Sequence, residues 1–261
     1  MTELVADVRG AGPAVVLLHG QPGSGSDWEP VTVLLEAERT VIVPDRPGYG
    51  RTGGRARGFR GNAAAVVALL DRLGIERAIV VGHSWGGGVA IALAEHHRSR
   101  VRGLVLVSSV SPDQPLSRLD RALAMPPIGQ VVTAAGLYLA SLVLAAPPVR
   151  GLIKRRHGSE KRALAVMIET WREERVWDSF VTEQRSLVDE LPLLGPGLAS
   201  IATPTVVIVG DADRIVPPTA GRQLAARIPH AELVELAGAG HLLAHERPQV
   251  VVDAVRQVSG R

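Results

Sequence analysis

The chain of 261 residues has a net charge of +3, contains no cysteine, and is 46% hydrophobic but only 3% aromatic. This composition predicts a folded chain with an aliphatic core and excludes disulfides and thiolate nucleophiles. Because the arginines are interleaved with acids and lack accompanying aromatics, we expect no nucleic-acid partner. The charged N-terminus lacks the apolar region of a secretion signal, so we expect a cytoplasmic protein.

Short apolar runs, bounded by Gly, Pro or Asp, predict the strands of a sheet. They cover residues 14–20, 41–45, 78–84, 101–109, 203–211 and 231–238. Consecutive apolar positions, rather than alternating ones, are typical of parallel strands buried on both faces. Helical patterns lie between them, at residues 62–73, with Asn62 as a candidate N-cap and Gly74 just past the end, and at residues 85–97, 219–228 and 246–258. The alternation predicts an α/β fold with a doubly wound, mostly parallel sheet.

Residues 112–200 interrupt this alternation. They are rich in helical patterns and proline clusters, contain no convincing buried strand, and lie between two predicted core strands. We therefore predict a core formed by residues 1–111 and 201–261, with residues 112–200 inserted as a helical cap. Within the cap, the segment 160–180 places Leu164, Ile168 and Trp171 on one helical face.

One cap segment, residues 129–146, has the composition of a membrane span. It contains no charge and approaches the roughly 18 to 20 residues that a spanning helix needs. Prolines bracket it on both sides, and it lies in the middle of the chain between polar segments. We therefore predict a buried or pocket-lining helix and no integral membrane span.

The segment Gly82-His83-Ser84-Trp85-Gly86 joins a predicted strand to a predicted helix. A serine between glycines at such a junction is typical of a nucleophile elbow, in which a strained turn exposes the hydroxyl group. The helix N-terminus also favours negative charge there. The alternative is a serine that caps an ordinary helix.

A serine hydroxyl needs a base, and the base needs an orienting carboxylate. His241 follows the sixth predicted strand in a Gly-rich loop, where it would meet Ser84 at the carboxyl edge of the sheet. Two carboxylates, Asp211 and Asp213, follow the fifth. We favour Asp213 as the orienting acid, since it lies further from the strand, and assign Asp211 to the turn.

An acyl transition state also needs donors for its oxyanion. Backbone amides supply them in elbow enzymes, one from the residue after the nucleophile and one from a loop after an early strand. The candidates are Trp85 and Gln21, which follows the sequence His19-Gly20.

Two patterns that resemble cofactor motifs are set aside. Residues 48–53, GYGRTG, match a dinucleotide-binding pattern, but no helical pattern follows directly. His241 and His245 have the spacing of a zinc motif, but the glutamate of that motif and a third ligand are missing. We therefore expect no cofactor and no metal.

Five motifs resemble those of the α/β-hydrolase fold superfamily, in order and across essentially the whole chain: HGQPG, PDRPGYGRT, GHSWGG, GDADRIVP and GAGHLLAHERP. The resemblance implies Ser84 as nucleophile, His241 as base and Asp213 as acid. The short start departs from the family, because it leaves room for one strand before residues 14–20, where relatives usually carry a hairpin.

The core motifs are also similar to those of epoxide hydrolases and haloalkane dehalogenases, but these relatives use an aspartate nucleophile. An ether formed on Ser84 would have no hydrolytic exit, whereas an acyl-serine has one. We therefore expect a serine esterase for small to medium apolar esters, with Tyr138, Met167, Trp171 and Trp177 lining the pocket. The alternatives are a C–C bond hydrolase or proline iminopeptidase with the same triad, or a non-catalytic ligand-binding protein.

Overall fold

A seven-stranded sheet forms the core among the residues that the computed structural model describes, 3–149, 151 and 168–260. The strands are β1 (Ala6–Arg9), β2 (Ala14–Leu18), β3 (Thr40–Pro44), β4 (Ala78–His83), β5 (Val101–Val107), β6 (Thr205–Gly210) and β7 (Glu232–Leu236). Their spatial order is β1-β3-β2-β4-β5-β6-β7, with β1 antiparallel to β3 and the other pairs parallel. The predicted fold class is confirmed, and one strand precedes β2.

Helices cover both faces of the sheet, and this explains the uninterrupted apolar runs of its central strands. The helices are α1 (Glu29–Leu35), α2 (Phe59–Arg72), α3 (Trp85–His96), α4 (Arg118–Leu123), α5 (Ile128–Ala145), α6 (Glu174–Asp189), α7 (Pro218–Arg227), α8 (Leu243–Glu246) and α9 (Pro248–Ser259). Side chains of α2, α3 and α7 form the core on one face, and those of α1 and α9 form it on the other. The prediction of full burial is wrong for β7, whose positions alternate between half-buried and exposed, because β7 is an edge strand.

The N-terminal boundary of α2 differs from the prediction. Gly58 is the N-cap residue, and the helix begins at Phe59. Asn62 is buried inside the first turns, where its side-chain amide donates to the carbonyls of Arg57, at 2.6 Å, and Gly58, at 3.0 Å. Asn62 thus binds the carbonyls that precede the helix instead of capping its first amides. Gly74 follows the C-cap residue with φ of +67°, as the sequence predicted.

Between β5 and β6, the described residues contain α4, α5, α6 and a 3-10 segment, Leu191–Ser200, and no strand. In the described part of the segment 160–180, the predicted helical face of Leu164, Ile168 and Trp171 is interrupted, because Ile168 is helical and Trp171 is not. A turn ends this helix before α6 begins. The amide of Arg172 donates to the carbonyl of Glu169, and the amide of Glu173 donates to the carbonyl of Thr170, each three residues back. Trp171 lies in this turn, and Leu164 and Met167 lie outside the described residues.

The prediction of a buried helix over residues 129–146 is wrong, and the alternative, a pocket-lining helix, stays a prediction. These residues correspond to α5, of which only 17% is buried. Its buried positions, Gly129, Thr133 and Ser141, are small, and most of its large apolar side chains are exposed. Among the described helices, α5 packs against α4 and α6. Its length and mean hydropathy of 1.8 would suffice for a membrane span, so the absence of a span stays a prediction.

Candidate active site

Ser84 occupies the junction of β4 and α3 in a strained backbone conformation. Its φ of 54° and ψ of −121° lie in a region that non-glycine residues seldom adopt, and such strain costs about 1–3 kcal/mol. The Ser84 amide donates to the carbonyl of Val107 on β5 at 3.0 Å, which holds the turn against the neighbouring strand. A sharp turn, maintained by the surrounding sheet, therefore presents the serine at the N-terminus of α3.

The flanking glycines are sterically required at this turn. A Cβ atom on Gly82 would lie 2.4 Å from the carbonyl oxygen of Gly86, and one on Gly86 would lie 2.5 Å from the carbonyl oxygens of Leu18 and His19. Each clash is with backbone, which cannot move aside as a side chain can. The glycines thus allow β2, β4 and α3 to meet closely around Ser84.

His241 and Asp213 form a hydrogen-bonded pair. Nδ1 of His241 lies 2.7 Å from Oδ2 of Asp213, and both side chains are largely buried. Burial by itself would raise the pKa of Asp213. The hydrogen bond and charge of His241, together with the amides of Ile215 and Val216, outweigh this effect, so the pKa lies below its ordinary value. Because Asp213 is a carboxylate, Nδ1 carries the proton of neutral His241. The other ring nitrogen, Nε2, is then free of its proton and can act as a base.

The other candidate acid, Asp211, has a different environment. Its Oδ1 accepts a hydrogen bond from the amide of Gly238 at 2.7 Å, and the residue is exposed. This bond joins the turn after β6 to the turn after β7. The structure therefore brings Asp213, rather than Asp211, to His241.

His83 supports the loop that carries His241. Its Nε2 lies 2.9 Å from the carbonyl oxygen of His241, and the two rings are 4.8 Å apart. Burial, together with the neighbouring His241, lowers the pKa of His83 to about 3. His83 is therefore neutral, and since a carbonyl only accepts, its Nε2–H is the donor. The bond fixes the backbone of His241 from the side of β4.

The turn that follows β2 lies against Ser84. A Cβ atom on Gly20 would be 3.1 Å from Cβ of Ser84, so Gln21, the next residue, is in the immediate surroundings of the serine. The side chain of Gln21 donates to the carbonyl of Phe180 on α6 at 2.8 Å. Trp85 is the first residue of α3 and has no intrahelical acceptor for its amide. Trp85 adjoins Ser84 in the chain and Gln21 follows a glycine that packs against Ser84, and their role as oxyanion donors stays a prediction.

A buried ion pair, which the sequence did not predict, joins this turn to the cap. Arg46, in the loop after β3, pairs with Glu183 on α6, and both side chains are almost fully buried. Arg46 also donates to the carbonyl oxygens of His19 and Gly20, at 2.9 and 2.8 Å. The hydroxyl of Tyr49 donates to Glu183 at 2.9 Å. One arginine therefore holds the turn after β2 and a cap helix together.

Aromatic rings enclose the ion pair. The guanidinium of Arg46 lies 4.5 Å from the ring centre of Trp85, whose other contacts include a stacked Phe59 at 4.2 Å. The Trp85 indole N–H donates to the backbone carbonyl of Glu183 at 3.2 Å. Burial raises the pKa of Glu183, and the charge and hydrogen bonds of Arg46 oppose that change. Burial and the Glu183 charge raise the pKa of Tyr49 well above its ordinary value, so Tyr49 stays a neutral donor.

Three of the four residues expected to line a pocket are among the described residues, and their surroundings differ. Trp171 lines a cavity of about 20 Å³ beside Pro22, Gly23 and Tyr49, and Trp177 donates from its indole to the carbonyl of Trp171 at 2.8 Å. Tyr138 is 47% exposed on α5, with the guanidinium of Arg172 6.0 Å from its ring centre. Met167 lies outside the described residues, and the pocket roles of all four stay predictions.

A sequence profile of the Alpha/beta hydrolase family matches residues 15–254. The chain belongs to this family. Among curated relatives, this α/β-hydrolase is 32% identical over 242 residues to 2-hydroxymuconate semialdehyde hydrolase from Pseudomonas putida, with 90% of this chain and 79% of that protein covered. It is 24% identical over 263 residues to haloalkane dehalogenase 2 from Mycobacterium tuberculosis, with 95% and 88% covered.

A solved structure agrees with the fold of this α/β-hydrolase over nearly its full length. The thermophilic esterase from Thermogutta terrifontis superposes with a TM-score of 0.78 at 26% identity, covering 97% of this chain and 92% of that one. The resemblance inferred from the five motifs is therefore confirmed, and the chain is a hydrolase by family. The relatives differ in the bond that their names say they cleave, so family membership alone leaves the substrate class open.

Proposed function

We propose that this α/β-hydrolase cleaves carboxylic esters through an acyl-enzyme on Ser84. The observation that carries the proposal is the 2.7 Å contact between His241 Nδ1 and Asp213 Oδ2, in a loop that is hydrogen-bonded to His83, the residue before the strained Ser84. It supplies an oriented base to a nucleophile, which is the arrangement that acyl transfer needs. The similarity to the Thermogutta terrifontis esterase supports the same reaction class.

In the first step, the hydroxyl oxygen of Ser84 attacks the ester carbonyl carbon while Nε2 of His241 takes its proton. The carboxylate of Asp213 stabilises the imidazolium that forms and keeps the ring oriented. The tetrahedral intermediate then expels the alcohol, which receives the proton from His241. In the second step, water gives a proton to His241 and attacks the acyl carbon. The tetrahedral intermediate then expels the Ser84 oxygen, which takes that proton from His241, and the acid is released.

The oxyanion of each intermediate would be bound by the backbone N–H groups of Gln21 and Trp85. The α3 N-terminus adds its partial positive charge, and removing one such donor typically costs about 10²–10³-fold in kcat. The hydrogen bonds from Arg46 to the His19 and Gly20 carbonyls orient the turn that carries Gln21. Arg46 is thus a positioning residue for the oxyanion site.

The substrate class follows from the nucleophile and from the apolar cap. Alkylation of Ser84 by a haloalkane would give a stable ether, so the dehalogenase reaction is not proposed despite the 24% identical relative. A proline iminopeptidase would need cap carboxylates for the substrate amine. One candidate, Glu173, is exposed and pairs with Arg175 at 2.7 Å. Another, Glu183, is already bound by Arg46 and Tyr49. Small to medium apolar acyl esters, bound without a cofactor, fit best.

The test is hydrolysis of p-nitrophenyl esters from acetate to decanoate, with stopped-flow detection of the first turnover. A burst of p-nitrophenol followed by slower turnover would reveal the acyl-enzyme. Ser84→Ala is expected to lower kcat by about 10⁴-fold or more, whereas Ser200→Ala, at an exposed serine, is the matched control and should retain activity. Turnover that persists in Ser84→Ala would refute the proposal.

A second candidate reaction is C–C bond hydrolysis, which the 32% identical Pseudomonas putida relative favours. The same serine and base could serve it. Assaying a 2-hydroxymuconate semialdehyde by the loss of its visible absorbance would separate the two reactions. Turnover of this substrate without ester turnover would favour C–C hydrolysis, and binding without turnover of either would favour a ligand-binding protein.

A further inference from the structure

The outer face of α5 is a continuous apolar stripe open to solvent. The stripe consists of Ile128, Val131, Val132, Tyr138, Leu139, Leu142 and Val143, whose side chains are between 45 and 67% exposed. They recur at intervals of three and four residues, so they lie on one side of a helix of 18 residues, about 27 Å long. Single exposed apolar residues are ordinary, but a contiguous stripe of this length marks an interaction site.

α5 exposes more of its large apolar side chains than is expected for a helix of a water-soluble cap. Its buried positions are the small residues Gly129, Thr133 and Ser141. Leu137 and Leu144 are half-buried, and the larger side chains of the stripe are exposed. α9 shows the ordinary arrangement, with four of its five valines buried. Covering the stripe would remove apolar surface from water without disturbing the interior packing of the cap.

Cationic residues accompany the stripe. Arg118 and Arg121 are exposed on α4, which packs against α5, and the exposed Leu119 and Met125 extend the apolar surface toward them. The sequence that follows the helix, residues 147–162, contains six Arg or Lys residues, including both lysines of the chain, and one Glu.

Two carboxylates also lie near the N-terminal end of α5, and both have partners. Asp120 accepts the amide and hydroxyl of Ser117, each at 2.7 Å, and Asp178 accepts the side-chain amide of Gln130 at 3.1 Å. These neutral donors leave both carboxylates charged, so the two acids balance Arg118 and Arg121. The excess of positive charge lies in the sequence that follows the helix, and an uncharged apolar helix followed by a basic sequence matches an anionic lipid surface.

The inner side of α5 is incompatible with a helix surrounded by lipid. Arg172 donates to the hydroxyl of Ser141 at 2.9 Å, and Thr133 is buried against the protein. Only one side of the helix is thus available to a bilayer, which corresponds to a helix lying in the headgroup region. A second copy of the chain fits less well, because it carries the same basic sequence after the helix, and like charges disfavour association.

We propose that the outer face of α5 docks this protein on bilayers that contain anionic phospholipids. The apolar stripe enters the boundary between headgroups and acyl chains, Arg118 and Arg121 contact lipid phosphates, and the α/β core stays in water. This inference concerns membrane association and stands independently of the reaction that Ser84 performs.

Co-sedimentation of the full chain with large unilamellar vesicles tests the proposal. Binding is expected to vesicles of equimolar phosphatidylcholine and phosphatidylglycerol, to be about tenfold weaker on phosphatidylcholine alone, and to weaken as salt screens the cations. Leu139→Glu, at a side chain that is 60% exposed, should reduce binding by about tenfold or more, because it places a charge within the apolar stripe.

The matched control is Val33→Glu, which adds the same charge to an exposed valine of α1 and should leave binding unchanged. Circular dichroism and the Tm establish that both variants are folded. Lack of vesicle binding by the wild type, or equal binding by wild type and Leu139→Glu, would overturn the proposal. So would a wild-type dimer in sedimentation velocity that Leu139→Glu dissociates, since that result would assign the stripe to a second copy.

Discussion

Oδ2 of Asp213 lies 2.7 Å from Nδ1 of His241, whereas the neighbouring carboxylate of Asp211 binds the amide of Gly238. Asp213→Asn is therefore expected to lower kcat by about 10⁴-fold, since an amide allows the wrong histidine tautomer. Asp211→Asn should cost only a few-fold, because it alters an exposed turn. Steady-state kinetics of both variants on the same ester checks this difference. Equal losses would reject Asp213 as the orienting acid.

Gly82 in the elbow turn and Gly136 in α5 permit a comparison of two Gly→Ala substitutions. Gly82→Ala would place a methyl group 2.4 Å from a backbone oxygen, so we expect a loss of about 1–3 kcal/mol in unfolding free energy and of most activity. Gly136→Ala, in the interior of α5 with nothing within 4 Å, should instead stabilise the helix by about 0.5–1 kcal/mol. Thermal unfolding and ester turnover of the two variants provide the measurement, and an active, stable Gly82→Ala would contradict the steric argument.

Removing one partner of the buried Arg46–Glu183 pair should lower the free energy of unfolding strongly, whereas replacing the whole pair with apolar side chains should change it little. Glu183→Gln leaves the Arg46 charge buried without its partner, so we expect a loss of about 3–5 kcal/mol and a Tm lower by about 10 °C. The triple variant Arg46→Met, Tyr49→Phe, Glu183→Leu removes the charges together with the hydroxyl donor. It should lie within about 2 kcal/mol of the wild type.

The same triple variant separates stability from positioning. Without Arg46, the carbonyls of His19 and Gly20 lose their side-chain donors, and the turn that carries Gln21 is less well held. We expect kcat to fall by about 10- to 100-fold with a smaller change in KM, because the effect falls on oxyanion binding. A triple variant with normal kcat would show that the ion pair only stabilises the fold.

Glu95 is expected to make stability depend on pH. Burial raises its pKa from 4.5 to about 7, although Arg60, Arg98 and Arg227 oppose the shift. The folded state thus binds the proton more tightly than the unfolded state, and the stabilisation, complete below pH 4.5, is lost as the pH rises through about 7. Solvent screening of this half-buried group limits the effect to on the order of 1 kcal/mol.

Glu95→Gln should therefore raise the Tm by about 2–4 °C at pH 8 and leave it unchanged near pH 5. Differential scanning calorimetry at the two pH values measures the effect, with Glu76→Gln, at an exposed position, as the control. A Tm gain of the same size at both pH values would contradict the role of proton binding.

The sequence by itself determined the alternation of strands and helices and the position of the serine turn. Both depend on neighbours along the chain: consecutive apolar residues predict a buried strand, and Gly82 and Gly86 on either side of Ser84 predict a sharp turn. The boundary of α2 was less accurate, because Asn62 carries an N-cap signal, yet its side chain binds the preceding carbonyls. Local patterns thus predicted the elements better than their ends.

Only the tertiary structure showed which distant groups meet. Arg46 and Glu183 are 137 residues apart, and no periodicity or motif relates a loop after β3 to a helix of the cap. The exposure of the large side chains of α5 could likewise not be predicted from the sequence, since an apolar segment has the same composition whether those side chains are buried or exposed. Periodicity reports local backbone conformation, whereas pairing and exposure depend on how elements pack across the whole chain.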